Sequence, residues 1–220
     1  MNKRFSTKEL TTLAMITAIA YVLVCTVRIP VVLFLKYEPK DVIITIGGFL
    51  MGPSAVLISS GVVALIEMVT ISETGIIGCI MNFLSTCSFA CAAALVYKKN
   101  HTMKGAILAL TSGAVFMTAV MLLWNYLITP LYMTGTSRAD IAGMLLPIFL
   151  PFNLLKAGLN SSITLLLYKP LVTGLRKAGL ITVSSSPSGA KKTGRPGVLL
   201  FAALLFVTCV LLVLVMRGII

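Results

Sequence analysis

The sequence contains few acidic residues and almost no histidine: six Asp and Glu residues and one His stand among 220 residues. Most acid–base and metal chemistry in enzymes depends on these side chains. The sequence also contains no glycine-rich phosphate loop, no HExxH helix and no GxSxG turn. Its five cysteines lack the further Cys or His residues that would complete a metal-binding set. We therefore expect no catalytic activity, no cofactor and no metal site.

Long polar stretches are also scarce, because 58% of the residues are hydrophobic and only 11% are charged. A soluble domain of this size cannot bury so much apolar surface, and we therefore predict an integral membrane protein. The net charge of +12 would suggest nucleic-acid binding in a soluble protein. Here the basic residues stand mostly in short connections between apolar runs, where they orient the chain in the membrane. We expect no nucleic-acid partner.

The apolar runs predict an all-α, polytopic membrane protein. A spanning helix needs about 20 apolar residues. The runs cover about 10–35, 41–52, 54–71, 75–97, 104–132, 145–172 and 197–216. The second run is too short to cross comfortably, and we expect it to be tilted or partly re-entrant.

The distribution of lysine and arginine predicts the orientation of these helices. When the runs are threaded alternately through the membrane, most of the 18 basic residues fall on one side, which is therefore cytoplasmic. The predicted organisation is a cytoplasmic segment at 1–9, a six-helix substrate-binding domain at 10–180, a Ser/Gly/Lys-rich linker at 181–196 and an additional transmembrane helix at 197–220. The N-terminus is then cytoplasmic and the C-terminus external.

One apolar run carries polar residues at membrane depth. Asn153, Lys156 and Asn160 are spaced i, i+3 and i+7, so they share one face of a helix. An unpaired ammonium group is costly in lipid, and an intramembrane lysine therefore indicates a functional site with a specific partner. The candidate partners are Glu38, Asp41, Glu67 or polar atoms of a ligand.

Further polar residues are predicted to lie at the same level. Asn125 lies near the outer end of the fifth run, at the level where the sixth begins, Asn82 lies within the fourth, and the loop FLKYEPKD (34–41) follows the first. Together they predict an outward-opening pocket under a loop. Amides and a lysine suit a neutral, polar heterocycle, because they offer both donors and acceptors. The alternative for any single asparagine is hydrogen bonding between helices.

Three stretches resemble the substrate-binding S components of energy-coupling factor vitamin transporters, most closely the riboflavin-specific type. These are FLKYEPKDVIITIGGFLMGP (34–53), NYLITPLYM (125–133) and LLPIFLPFNLLKAGLNSSITLLLYKPL (145–171). The first helix also carries Ala14 and Ala18 in LAMITAIA, which matches the Ala-x-x-x-Ala element of the family. Small residues at this spacing let helices approach closely.

The resemblance implies high-affinity riboflavin binding and delivery at the plasma membrane. It implies a transmembrane coupling subunit and two ABC-type ATPases as partners, with Ala14 and Ala18 at the docking surface. The substrate-binding residues that it implies, taken with the polar pattern, are Lys36, Tyr37, Glu38, Asp41, Asn82, Asn125, Asn153 and Lys156.

Two other functions remain open on the sequence. The chain could be an S component for another vitamin or small heterocycle, or an unrelated membrane enzyme or lipid-binding scaffold. The seventh helix lies outside the six-helix family pattern. We expect it to be accessory, so that deleting the residues after about 182 leaves ligand binding intact.

Overall fold

The computed structural model describes residues 6–133, 135–177 and 196–219. It confirms the all-α membrane architecture, to which it adds one small β-hairpin. The elements are, in chain order, α1 (Thr7–Thr26), β1 (Ile29–Val32), β2 (Leu35–Tyr37), α2 (Lys40–Met51), α3 (Pro53–Thr70), α4 (Gly75–Lys99), α5 (Met103–Tyr132), α6 (Arg138–Met144), a π-helical turn (Leu145–Phe149), α7 (Leu150–Lys177) and α8 (Pro196–Met216).

The first helix is shorter than the apolar run 10–35 predicted. It ends at Thr26, and the chain forms an antiparallel hairpin in which Ile29 pairs with Tyr37 and Val32 with Leu35. The reason lies in Pro30, which cannot donate a helical hydrogen bond, and in the β-branched residues around it, which favour extended backbone. The hairpin places its side chains across one end of the helix bundle, which we call the hairpin end.

The second helix is a short internal helix. Its 12 residues give a length of about 18 Å, well below the roughly 30 Å of a bilayer core. Every residue from Lys40 to Phe49 is buried by the surrounding helices. α2 ends at Met51 and is followed by Gly52, whose φ of 92° favours glycine, and Pro53 then begins α3.

Among the described residues, six helical segments are long and apolar enough to span a membrane: α1, α3, α4, α5, the run Arg138–Tyr168 and α8. The sixth predicted helix starts earlier than residue 145, because Ser137 caps α6 and the chain continues through the π-helical turn into α7. Within that turn the Leu150 amide donates to the carbonyl of Leu145, five residues back.

The predicted domain boundaries can be set beside the helices of the structure. Residues 7–9 belong to α1, so the segment before the first helix is shorter than 1–9. The six-helix domain corresponds to α1–α7 and the additional helix to α8. The predicted linker 181–196 lies, apart from Pro196, outside the described residues.

Candidate functional site

The hairpin end contains a buried, charge-balanced network. Arg28, at the start of the hairpin, contacts Glu38 through Nε at 2.8 Å and Glu67 through Nη2 at 3.0 Å. Lys40 Nζ contacts Glu38 Oε2 at 2.7 Å and also forms an ion pair with Glu67. Asn82 Nδ2 donates to Glu67 Oε1 at 2.8 Å. These contacts join the hairpin to α2, α3 and α4, and each buried charge has an opposite partner, as burial requires.

A second part of the network surrounds Asp41, whose side chain is fully buried. Its Oδ2 atom lies 3.2 Å from Lys156 Nζ and accepts a hydrogen bond of 3.3 Å from Asn160 Nδ2. Its Oδ1 atom accepts a hydrogen bond of 2.6 Å from Thr86 Oγ1. Of the three carboxylates proposed as partners of Lys156, the structure selects Asp41. The carboxylate explains how a lysine is tolerated inside this apolar helix.

Lys156 and Asn153 keep hydrogen-bonding capacity after their protein contacts are counted. Lys156 Nζ donates to Ser85 Oγ at 3.1 Å and pairs with Asp41, which uses two of its three N–H groups. Asn153 Nδ2 donates to the carbonyl of Phe149 at 2.7 Å, where the π-helical turn ends. That bond uses one N–H of the Asn153 amide and leaves its second N–H and its Oδ1 acceptor for other partners. π-helical turns often occur at functional sites.

Asn125 is more fully engaged with its own helix. Its Nδ2 donates to the carbonyl of Met121 at 2.8 Å, and its Oδ1 accepts from Thr129 at 3.0 Å. One N–H group of the amide is left beyond these two bonds. The contacts fix the orientation of the side chain at the cavity wall.

These residues line a cavity at the hairpin end with a volume of about 60 Å³. This is below the range of about 300–1,000 Å³ for small-molecule sites, so a ligand of that size would require this end of the bundle to open further. The polar and charged lining comprises Arg28, Lys36, Glu38, Ser72, Glu73, Thr74, Asn82, Ser85, Asn125, Asn153 and Lys156. The apolar lining comprises Phe34, Leu35, Met81, Met121 and Phe152. The cavity therefore combines apolar surface from five residues with a larger number of polar and charged lining residues.

The structure brings six of the eight predicted substrate-binding residues to this cavity: Lys36, Glu38, Asn82, Asn125, Asn153 and Lys156. The other two, Tyr37 and Asp41, are buried behind its wall. Tyr37 donates from its hydroxyl to Asn160 Oδ1 at 3.2 Å, and Asn160 in turn donates to Asp41. We therefore assign Tyr37 and Asp41 to positioning the lining residues.

Sequence reasoning missed five polar residues of the lining: Arg28, Ser72, Glu73, Thr74 and Ser85. A signal existed for Arg28, because it is a charged residue inside an apolar run. Ser85 gave no comparable signal, since a serine in a membrane helix is common and its role depends on Lys156 across the bundle.

An exposed ion pair closes one side of the cavity mouth. Lys36 Nζ on β2 lies 2.7 Å from Glu73 Oε1 in the connection between α3 and α4. The hydrogen bond from Lys36, together with its positive charge, lowers the pKa of Glu73 below its usual range. The pair therefore persists at neutral pH and links the hairpin to the opposite rim.

The two alanines predicted for docking lie on a different surface. Ala14 and Ala18 are exposed, whereas Ile16 and Ala20 on the neighbouring face of α1 are buried. The alanines line an open, almost entirely apolar groove between α1 and α3, together with Leu10, Ile58, Val62 and Ile66. The alanine pair is therefore available to another helix in the membrane, and internal packing does not use it.

Comparison with known proteins places the chain among membrane transport components. A family model described as ECF transporter, substrate-specific component, matches residues 8–168. The curated riboflavin transporter RibU of Staphylococcus aureus is 32% identical over 178 residues, which is 77% of this chain and 93% of that protein. The protein of the same name in Streptococcus thermophilus is 34% identical over 107 residues, or 46% of this chain and 51% of that protein.

A solved structure gives the same result in three dimensions. It is described as the S component of a bacterial ECF transporter and is 30% identical to this chain, with a TM-score of 0.64. The match covers 98% of that chain but 77% of this one. The family match ends at residue 168, before α8 begins.

Proposed function

Because this chain belongs to the family of ECF transporter substrate-specific components, we propose that it binds riboflavin in the cavity at the hairpin end and delivers it for uptake. Membership of this family makes the chain a membrane transport component and not an enzyme. The relatives named above are riboflavin transporters, and they support this choice of ligand.

The observation that carries the proposal is the pair Lys156 and Asn153, held side by side at the cavity wall with hydrogen-bonding capacity to spare. The uracil-like edge of a flavin presents two carbonyl acceptors and one N–H donor. The free N–H groups of Lys156 and Asn153 match the carbonyls, and Asn153 Oδ1 matches the N–H. A ligand lacking these atoms would leave buried polar groups unpaired, and this supports strong discrimination.

The rest of the cavity suits a flat and mainly apolar ring system. Phe34, Leu35 and Phe152 supply aromatic and aliphatic surface, and Met81 and Met121 supply adaptable thioether side chains. Phe34 is itself fixed by an edge-on contact with Tyr132, whose ring centroid is 5.4 Å away. Every cation of the lining lies in an ion pair with a carboxylate. The site thus favours a neutral ligand over an anion.

The experiment is a flavin-binding titration on the purified protein. The wild-type chain should quench riboflavin fluorescence at stoichiometric concentration and should retain yellow flavin through purification. Asn153→Ala should weaken binding by roughly ten- to a hundredfold, because each hydrogen bond to a buried ligand contributes about 0.5–3 kcal/mol. Asn100→Ala is the matched control, since Asn100 is an exposed amide at the other end of the bundle. Absence of riboflavin binding, or tighter binding of another heterocyclic vitamin, would refute the assignment.

We assign the hairpin end to the external side of the plasma membrane. The described basic residues Lys8, Lys98, Lys99, Lys104 and Lys177 lie at the opposite end of the bundle, and this supports a cytoplasmic location for that end. The N-terminus is then cytoplasmic and the C-terminus, after α8, is external. Riboflavin would enter the cavity from outside.

Uptake then requires partners that supply energy. Family membership supports a transmembrane coupling subunit and two ABC-type ATPases as those partners. The apolar groove between α1 and α3 is the surface that we assign to the coupling subunit, with Ala14 and Ala18 allowing close helix approach.

A further inference from the structure

The additional helix α8 is packed closely against the substrate-binding domain. A Cβ atom at Gly158 of α7 would lie only 2.8 Å from Cys209 Sγ of α8, closer than real Cβ contacts allow. Cys209 and Val213 belong to the same hydrophobic cluster as Leu155 and Leu159 of α7. Glycine at 158 therefore permits the observed approach of the two helices.

The same cluster includes the hairpin. Val31, Leu35 and Tyr37 of the hairpin pack in one buried cluster with Phe152 of α7 and with Cys209 and Val213 of α8, and α8 contacts β1 directly. Leu35 and Phe152 have a second surface, because both also line the cavity. α8 consequently lies behind the wall of the proposed ligand site.

A hydrogen-bonded chain extends from this cluster to the polar groups of the cavity. Tyr37 donates to Asn160, Asn160 donates to Asp41, and Asp41 pairs with Lys156. If α8 moved away, Tyr37 and Leu35 would lose apolar contacts on that side, and the hairpin would be held less firmly over the cavity. The position of Lys156 depends on the same chain of contacts.

From this packing we infer that α8 is a positioning element of the ligand site, which holds the hairpin and the start of α7 in the geometry that retains the ligand. The positioning residues are Cys209 and Val213 of α8, together with Gly158 of α7, which allows the close contact. The inference takes the identity of the ligand from the proposed function but depends on the packing of α8 alone. It replaces the sequence-based expectation that the residues after 182 can be deleted without effect on binding.

The test is a rescue experiment on the full-length protein. Gly158→Ala inserts a methyl group against Cys209 Sγ, and Cys209→Ala removes that sulfur. Gly174→Ala is the matched control on the same helix, because a Cβ there meets nothing within 4 Å. Riboflavin dissociation is measured by stopped-flow fluorescence well below the unfolding temperature, and thermal unfolding is recorded for each variant.

We expect Gly158→Ala to speed dissociation by roughly three- to tenfold, a typical size for coupling through packed elements. The double variant should return to within about twofold of the wild type, and Gly174→Ala should not change the rate. Val213→Ala, which removes packing without inserting atoms, should speed dissociation even if Gly158→Ala does not fold.

Three results separate the possible failures. Lower thermal stability with unchanged dissociation in Gly158→Ala and Val213→Ala would overturn the inference, because α8 would then only stabilise the fold. Failure of Cys209→Ala to rescue Gly158→Ala would also overturn it. If the wild-type protein binds no flavin, the proposed function fails instead. If the double variant recovers thermal stability but not the dissociation rate, the contact between Gly158 and Cys209 is confirmed and the positioning role of α8 is refuted.

Discussion

The ion pair between Lys156 and Asp41 allows the ligand-binding role of the lysine to be separated from its role in stability. Asp41 is fully buried, and Lys156 is 6% exposed. Removing one partner of a buried pair leaves an uncompensated charge, which typically destabilises a protein by about 3–5 kcal/mol. We expect Lys156→Met to fall near the lower end, because Asp41 keeps its hydrogen bonds from Thr86 and Asn160.

The double variant Asp41→Asn with Lys156→Met should behave differently from either single variant. Replacing a buried ion pair by neutral groups of similar volume is often close to neutral for stability. We therefore expect the two single changes to be strongly non-additive, with a coupling of about 2–3 kcal/mol. Riboflavin affinity should not recover with stability, because the ammonium donor remains absent. The expected loss of affinity is about ten- to a hundredfold for a hydrogen bond that involves a charged group.

The assay combines thermal unfolding in detergent with riboflavin fluorescence quenching at equal folded concentration. The predicted pattern is low stability for Lys156→Met, recovered stability for the double variant, and weak binding for both. Recovery of affinity in the double variant would refute direct contact between Lys156 and the ligand. Additive losses of stability would refute the ion pair itself.

Three further predictions concern docking, topology and pH. Ala14→Leu or Ala18→Leu should block co-purification with a coupling subunit and abolish uptake while riboflavin binding persists. The control Ile19→Phe, on the exposed side of α1 away from the groove, should leave co-purification and uptake unchanged. Normal assembly of the alanine variants would show that the groove is not the docking surface. A reporter fused after Lys177 should be cytoplasmic and one fused to the C-terminus external, and the same side for both would show that α8 does not cross. Because Lys36 lowers the pKa of Glu73, the ion pair between them is present above the ordinary glutamate pKa of about 4.3 and is lost only as pH falls below it. The rate of riboflavin dissociation should therefore be constant from about pH 8 to 5. An increase in that rate within this range, if Glu73→Gln abolishes it, would contradict the lowered pKa of Glu73.

The polar face of α7 could be predicted from sequence because helical periodicity is a local property. Asn153, Lys156 and Asn160 share a face in any α-helix, and their apolar surroundings require that face to meet protein or ligand. The structure places Lys156 and Asn153 at the cavity and Asn160 behind it. The depth of each residue along the helix was enough to separate these roles.

The hairpin could not be predicted from hydropathy, and with it the charge network was missed. A hydropathy window counts apolar residues without regard to their conformation, so the run 10–35 looked like one helix although Pro30 and the β-branched residues beside it favour extended backbone. Ending α1 at Thr26 brings Arg28 beside Glu38 and Glu67. Contacts of this kind depend on which helices are neighbours, and no local pattern in a single sequence specifies that.

The buried network also explains why stability and ligand recognition share residues here. Arg28, Lys40 and Lys156 balance Glu38, Glu67 and Asp41, so this network of six buried or partly buried charged side chains has no net charge. Each cation is tolerated in the apolar bundle only because a carboxylate fixes it in place. That same fixation holds Lys156 in place at the cavity wall before any ligand arrives, which lowers the entropy lost on binding. Neutral substitutions made in matched pairs, one cation with its carboxylate, should therefore preserve the stability of the fold but weaken riboflavin binding.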